Sequence, residues 1–244
     1  MRGIVKRFAT YFAGRSLPSR DMASNVCLPE ESTPIEYAAG VSVGLPELPA
    51  TGICTALLVD ISDSMSTTDM STTEYTSSRL EAAKEAAVEL VKERSQIAVE
   101  SRIAIVGFSD LGYLVCPLTD CRDIATVTSA ISSLSTVAGT NIGAGLKMAA
   151  HILHPLPFIR RACEIVLLSD GYDCQSDAVP LAEKLKARGC IIMTVGIGGS
   201  PKAVDEALLK HLASKDDNGN PYYRFISDKM SLVRHFKDIG GLTR

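Results

Sequence analysis

Short apolar runs alternate with stretches of helical periodicity from about residue 52 to the end of the chain. The runs are rich in Val, Ile and Leu, as is typical of strands buried on both faces of a sheet. The predicted strands are Ile53–Asp60, Ile103–Phe108, Tyr113–Pro117, Ile165–Ser169, Ile191–Val195 and Tyr222–Ile226, and the predicted helices are 79–94, 122–134, 143–153, 177–188, 202–213 and 231–239. This alternation predicts a parallel sheet with helices on both faces. Only a tight turn around Gly112 separates the second and third strands, so that pair is predicted to form an antiparallel hairpin at one edge.

Two of the helices have recognisable starting signals. Ser78 followed by Glu81 predicts a capping box, in which the serine hydroxyl accepts a hydrogen bond from the backbone of the glutamate. Ser200 before Pro201 predicts the cap and first position of the helix 202–213.

The first predicted strand ends abruptly in a carboxylate. Hydroxyls come at every second position after it in the segment Asp60-Ile61-Ser62-Asp63-Ser64. In an open parallel sheet, ligands bind at the carboxyl ends of the strands. Carboxylates and hydroxyls are hard oxygen ligands, which suit Mg²⁺ better than nitrogen or sulfur does.

Two later loops are predicted to reach the same edge of the sheet. The segment Ala138–Gly143 opens a helix and places the Thr140 hydroxyl at its entry, and Asp170 ends another apolar strand before Gly171 turns the chain away. If the two strands are neighbours, the carboxylates that end them face each other. Three loops then offer two carboxylates and three hydroxyls, from Asp60, Ser62, Ser64, Thr140 and Asp170.

These motifs resemble the von Willebrand factor A (vWA) domain family and its metal-ion-dependent adhesion site (MIDAS). The family pattern is DxSxS, then a threonine beside glycine and Asn or Asp, then an aspartate in an apolar-(T/S)-D-G turn, and the resemblance covers residues 53 to 239. It implies an α/β, doubly wound, Rossmann-like three-layer sandwich whose six-stranded sheet is mostly parallel with one antiparallel edge strand. It also implies that the hydroxyls of Ser62, Ser64 and Thr140 contact the ion directly, while Asp60 and Asp170 act largely through water.

The chain departs from the family pattern in two places. Asp63 stands where many members have glycine, which adds a third carboxylate beside the site. The loop from Met65 to Ser78 is longer than usual and rich in Ser and Thr. We interpret it as a flexible, solvated loop, with a specificity rim around the metal and a phosphorylatable segment as the alternatives.

Composition sets the domain organisation and excludes some partners. A length of 244 residues fits a domain over residues 51–244 and an N-terminal extension over residues 1–50. A net charge of −3 argues against a nucleic-acid binder, and no apolar run is long enough to span a bilayer. Seven scattered cysteines, an odd number, favour a reducing compartment over a disulfide framework.

The extension differs in character from the rest of the chain. Met1 to Arg20 carries five basic residues and no acid, interleaved with apolar residues, and five prolines punctuate the segment from Pro18 to Pro49. The extension lacks the pattern of a secretory signal. A short helix docked on the domain or on a partner, an organelle transit peptide and a weakly membrane-bound surface helix all fit. Residues 35–45 are predicted to add a short edge strand.

The resemblance implies a non-enzymatic, Mg²⁺-dependent protein-interaction module, with Mn²⁺ or Ca²⁺ as other candidate ions. In the family, an Asp or Glu of a partner protein completes the coordination of the metal. We therefore expect a subunit or adaptor of a larger complex in the cytoplasm of a bacterial cell, with an AAA+ ATPase, kinase or phosphatase system as partner. A last helix that slides when ligand binds is a further property of the family; a static packing helix is our interpretation here.

Two other functional classes stay open. The first is a metal-dependent phosphoryl or phosphate-ester enzyme that uses Asp60, although the second carboxylate expected two residues later is replaced by Ser62. The chain also has no phosphate-binding loop, and the glycine-rich segment 196–202 lacks dinucleotide spacing. The second class is a purely structural scaffold subunit.

Overall fold

A computed structural model of the chain describes residues 52–72, 75–97, 100–153, 161–172 and 177–241. The strands are β1 (Gly52–Asp60), β2 (Met70–Ser71), β3 (Thr76–Ser77), β4 (Glu100–Phe108), β5 (Gly112–Asp120), β6 (Arg161–Ser169), β7 (Ile191–Ile197) and β8 (Tyr223–Ile226). The α-helices are α1 (Arg79–Ser95), α2 (Ile124–Ser132), α3 (Ile142–Leu153), α4 (Ala178–Ala187), α5 (Glu206–Leu212) and α6 (Lys229–Gly241).

Six strands form one sheet in the order β5-β4-β1-β6-β7-β8. All neighbours run parallel except β4 and β5, which form the antiparallel edge hairpin expected around Gly112. The predicted α/β fold, doubly wound with one antiparallel edge strand, is therefore confirmed. In the register, Asp60 lies opposite Phe108 of β4, and Val59 lies opposite Leu168 of β6. The segments that come after β1, β4 and β6 consequently leave the sheet at the same edge.

Each face of the sheet is covered by helices. On one face, Leu57 and Val59 of β1 belong to a buried cluster with residues of α1, α2 and α6. On the other face, Ala56 and Leu58 belong to a cluster with residues of α3, α4 and α5. Every residue of β1 is buried, which explains the continuous apolar pattern of this central strand.

The predicted cap of the last-but-one helix was wrong. Ser200 and Pro201 start only a short 3-10 turn, and the Ser200 side chain makes no capping hydrogen bond. The helix α5 begins at Glu206 instead, where the Asp205 carboxylate accepts a hydrogen bond from Leu208 N at 3.0 Å. At α1 the predicted cap is confirmed, since Ser78 Oγ accepts from Glu81 N at 3.1 Å.

Several described residues of the loop from Met65 to Ser78 are exposed, as the solvated-loop interpretation expects, but its two methionine side chains are not. Met65 and Met70 are fully buried, and the short antiparallel pair β2–β3 gives the segment regular structure. Two apolar anchors therefore fix this hydroxyl-rich loop to the core.

The extension over residues 1–50, with its predicted edge strand, lies outside the described residues, so the division into extension and domain stays a prediction. Within the described part of the chain, no helix combines the length and apolar composition needed to cross a membrane.

Candidate metal centre

The first motif folds into a compact cluster of oxygen atoms at the end of β1. Asp60 is completely buried, and its Oδ1 accepts a hydrogen bond from Ser62 N at 2.9 Å. Ser62 has an extended backbone and leads into a 3-10 turn over Asp63–Ser66. This geometry brings the hydroxyls of Ser62 and Ser64 within 2.9 Å of each other. The spacing of two residues in the sequence therefore places two hydroxyl oxygens next to each other, beside a carboxylate.

The Asp170 motif lies directly beside the first, because β6 is the parallel neighbour of β1. Ser169 Oγ donates to Asp60 Oδ2 at 2.6 Å and accepts from Gly171 N at 2.8 Å. Asp170 is also completely buried, and its Oδ1 accepts from Tyr172 N at 3.4 Å. One serine thus links the Asp60 carboxylate to the backbone just after Asp170.

The Asp60 carboxyl lies where the ionised form is costly. Burial raises its pKa to about 6, and the negative charge of Asp170 adds to the rise, while hydrogen bonds from Ser169 and Ser62 oppose it. A carboxylate with only neutral donors around it is costly to ionise inside a protein. A cation bound nearby would favour the ionised form of Asp60. The side chains predicted as metal ligands all offer oxygen atoms.

The Thr140 loop is fixed against the first motif by the backbone. Val137 N donates to Ile61 O at 2.7 Å, between Asp60 and Ser62 in the chain. Gly139 adopts a positive φ of 90°, and the loop ends where α3 begins. Thr140 is partly exposed at this helix entry. The third predicted loop therefore borders the same edge as the other two.

The predicted residues differ in how deeply they lie. Asp60, Ser62 and Asp170 are buried, whereas Ser64 and Thr140 are partly exposed. Asp63, the additional carboxylate, is exposed on the rim, and its carbonyl oxygen accepts from Ser66 Oγ at 2.7 Å. The candidate site therefore combines buried carboxylates with hydroxyl residues that are partly exposed.

Arg79 was missed by the sequence interpretation. It is the first residue of α1, yet its Nη1 lies 3.1 Å from Asp170 Oδ2, and its Nε and Nη2 contact the two carboxylate oxygens of Asp69 at 2.9 and 2.6 Å. The only local signal was a basic residue in the first turn of a helix, where the helix dipole disfavours a cation. The contact with Asp170 spans 91 positions of sequence and could not be read from a pattern.

Comparisons with known proteins agree with this geometry. Residues 55–172 match the family model of the von Willebrand factor type A domain, and no curated protein sequence matches the chain. Among solved structures, the vWF domain of the type V pili tip protein Mfa5 from Porphyromonas gingivalis has a TM-score of 0.62 at 17% identity, over 77% of this chain and 93% of that one. An aerotolerance-related membrane protein from Bacteroides fragilis has a TM-score of 0.59 at 22% identity, over 76% and 97%.

A third solved structure concerns the metal site itself. Proximal thread matrix protein 1 from the mussel byssus, described with a zinc-occupied MIDAS motif, has a TM-score of 0.61 at 20% identity, over 79% of this chain and 46% of that one. The three motifs, the strand order and the family match agree with one another. Residues 55–172 are therefore similar to the von Willebrand factor type A domain in sequence, and the sheet has the strand order of that fold.

Proposed function

We propose that the domain is a non-enzymatic, Mg²⁺-dependent protein-interaction module in which an Asp or Glu of a partner protein completes the coordination of the metal. The observation that carries the proposal is the meeting of two buried carboxylates with a pair of adjacent hydroxyls at the carboxyl edge of the sheet. Such an edge is where open α/β sheets bind ligands. The same edge also carries the Thr140 loop, hydrogen-bonded to the first motif.

The donor set fits a hard divalent cation. Ser62, Ser64 and Thr140 supply the direct ligands in this proposal, while Asp60 and Asp170 hold the surrounding charge. Three neutral hydroxyls leave room for further oxygen ligands around an ion that prefers six. When bound, the ion supplies a positive charge that attracts a carboxylate from outside. The hydrogen bonds that Asp60 accepts from Ser62 and Ser169 favour its ionised form.

Mg²⁺ is the ion that we propose, because oxygen-only donors suit it. The zinc in the byssus protein belongs to that protein, but it supports a divalent ion at a site of the same family. Mn²⁺ and Ca²⁺ prefer similar ligands, so all four ions belong in the same titration.

The Thr140 hydroxyl gives the sharpest test of the site. We expect Thr140→Ala to lower Mg²⁺ affinity by at least about tenfold in calorimetric titration, and Thr140→Ser to keep affinity close to wild type. Thr140 is partly exposed and outside the core, so the folded domain should tolerate both changes. Equal Mg²⁺ affinity of the alanine variant and the wild type would contradict the proposed ligand set.

The partner is tested by capture on the immobilised domain. We expect an interacting protein to be retained with Mg²⁺, released by EDTA, and lost when Thr140→Ala replaces the wild type on the support. Substitution of the metal-contacting Asp or Glu of the captured partner by Asn or Gln should then abolish its binding. Retention that is equal in Mg²⁺ and in EDTA would overturn the metal-dependent mechanism.

We also propose the cellular setting as a cytoplasmic subunit or adaptor, with an AAA+ ATPase, kinase or phosphatase system as the partner. The support is the family resemblance and the net negative charge of −3, which disfavours nucleic acid and anionic membranes. Fractionation of cells, together with identification of the captured protein, tests both parts. Recovery of the chain in the membrane or extracellular fraction would contradict the compartment.

A further inference from the structure

One buried arginine lies between two carboxylates beside the metal centre. Arg79 is 6% exposed, and its guanidinium contacts Asp69 through two nitrogen atoms and Asp170 through the third. It occupies the first position of α1, where the helix dipole repels a cation. A cation is retained in such a place only when fixed negative charges compensate for the dipole and for the loss of water.

The Arg79 guanidinium is held by Asp69, which is itself anchored to the backbone. Asp69 Oδ2 also accepts a hydrogen bond from Gly199 N at 2.8 Å, and the contacts with Arg79 hold the pKa of Asp69 below its usual range. A side chain at Gly199 would press on Asp69, since a Cβ there would lie 3.0 Å from Asp69 Oδ2. The glycine-rich segment after β7 therefore packs closely against the ion pair.

Charge compensation at the two metal-centre aspartates is unequal. Among the described residues, Asp60 receives hydrogen bonds only from neutral groups, namely Ser62 and Ser169. Asp170 pairs with Arg79, and the described residues provide no other salt bridge to either carboxylate. In the metal-free protein, Arg79 thus supplies the cation that partly neutralises this pair of buried acids.

We propose that Arg79 is the internal counter-ion of the metal centre: it stabilises the metal-free site through Asp170 and lowers the affinity of that site for a divalent cation. The inference rests on the proposed metal-binding function. A divalent ion bound near Asp170 meets a fixed positive charge that cannot leave, because Asp69 and Gly199 hold it. The two positive charges repel each other, and the burial of Arg79 and Asp170 makes this repulsion stronger than it would be in bulk water. Arg79 therefore sets how readily the ion is exchanged and how much the partner carboxylate must contribute.

Two substitutions at this position separate its charge from its packing. Arg79→Lys keeps the positive charge without the planar fork, whereas Arg79→Met keeps the apolar stem and removes the charge. Lys92→Met removes one positive charge from the same helix at an exposed place and serves as the control for net charge. For each full-length protein, Mg²⁺ affinity is measured by calorimetry, and the melting temperature is measured in EDTA and in Mg²⁺.

We expect Arg79→Met to bind Mg²⁺ about tenfold more tightly than Arg79→Lys, with Lys92→Met like the wild type. In EDTA, Arg79→Met should melt at a lower temperature than Arg79→Lys, because Asp170 is left without a counter-ion, and Mg²⁺ should restore most of that difference. If neither Arg79 variant binds Mg²⁺ more tightly than the wild type, the charge of the arginine does not lower the affinity of the site. The inference is then overturned.

The proposed function fails in a different way. If the wild type itself shows no Mg²⁺ binding, both the metal site and the affinity-setting role are wrong. If the wild type binds Mg²⁺ and the Thr140→Ala variant does not, but the two Arg79 variants are indistinguishable, the metal site stands and the role of Arg79 is wrong.

Discussion

Gly139 shows how one residue shapes the loop that presents Thr140. Its backbone has a φ of 90°, in the left-handed region that residues with a Cβ rarely adopt. A Cβ at this position would lie 2.0 Å from Asp110 Oδ1, so the glycine also permits the loop to pass close to the β4–β5 hairpin. Backbone freedom and close approach are therefore both required here.

We expect Gly139→Ala to lower the free energy of unfolding by about 3 kcal/mol, because it adds backbone strain and a steric clash. Gly219 is the matched control, since its φ is 84° but a Cβ there would meet nothing within 4 Å. Gly219→Ala should cost only about 1 kcal/mol. Urea unfolding of the two variants measures both values. Equal losses would show that the contact with Asp110 is relieved at no cost.

At the scale of elements, α5 is positioned by its own cap and by the loop that holds Asp170. The Asp205 side chain accepts from Leu208 N, while Asp205 N donates to Asp170 O at 2.9 Å. One residue therefore starts the helix and supports the backbone of a predicted metal-centre residue.

We expect Asp205→Ala to destabilise the protein by about 1 kcal/mol, the usual cost of losing a helix cap. Ser200→Ala is the control, because Ser200 makes no side-chain cap, and it should change stability by less than about 0.5 kcal/mol. Thermal or urea unfolding decides between them. A larger loss from the Ser200 variant would restore the cap predicted from the sequence.

The sequence was sufficient for the six strands of the main sheet and insufficient for β2, β3 and some of the helix ends. β1 was predictable because its burial on both faces demands an uninterrupted apolar run, which a pattern displays directly. The start of α5 was not, since Ser200-Pro201 and Asp205 are both acceptable starts locally and only tertiary contacts choose between them. The burial of Met65 and Met70 was hidden for the same reason, because isolated methionines in a polar loop give no periodicity.

In the candidate metal centre too, local features were predictable and long-range contacts were not. Spacings of two residues placed Asp60, Ser62 and Ser64 together, and the order of the strands placed Asp170 beside them. Arg79 depends on a pairing across many intervening residues with Asp170, and the sequence shows only an unfavourable charge at a helix start. Unfavourable local features of this kind mark where long-range contacts act.

At the scale of the whole molecule, α1 is tied to β6 and to the loop after it through both of its ends. Arg79 at its start contacts Asp170, and Arg94 near its end forms a completely buried ion pair with Glu164 of β6 at 2.5 Å. Glu164 also accepts a hydrogen bond from Thr55 of β1 at 2.5 Å. The helix packs along its length against α6, the last helix.

That last helix gives the molecule a pH-dependent stability. Burial lowers the pKa of His235 to about 4, and Arg224 Nη1, 3.5 Å from its Nδ1, adds to the effect, while Asp238 opposes it. In the unfolded chain the pKa is near 6.5. Between pH 6.5 and 4 the unfolded state therefore binds more protons, so stability is full above pH 6.5 and falls as the pH decreases through this window.

We expect the wild type to lose up to about 3 kcal/mol more than His235→Gln between pH 7 and pH 4, because the variant has no proton to bind there. Urea unfolding of both proteins across this range, in EDTA, gives the difference directly. Other titrating groups cancel in the comparison. Parallel pH profiles would show that His235 is protonated as easily in the folded protein as in the unfolded chain.

The burial of the described cysteines has a practical consequence for watching this domain open. Cys54 and Cys163 lie opposite each other on the two central strands, while Cys116 lies on the edge strand β5. Only the thiolate reacts with alkylating agents, and burial raises the pKa of the Cys190 thiol to about 11. These thiols are therefore alkylated only when the folded domain opens. Labelling of Cys116 reports fraying of the edge strand, and labelling of Cys54 and Cys163 reports separation of the central strands. Peptide-resolved labelling rates would provide an internal clock for the order in which the domain comes apart.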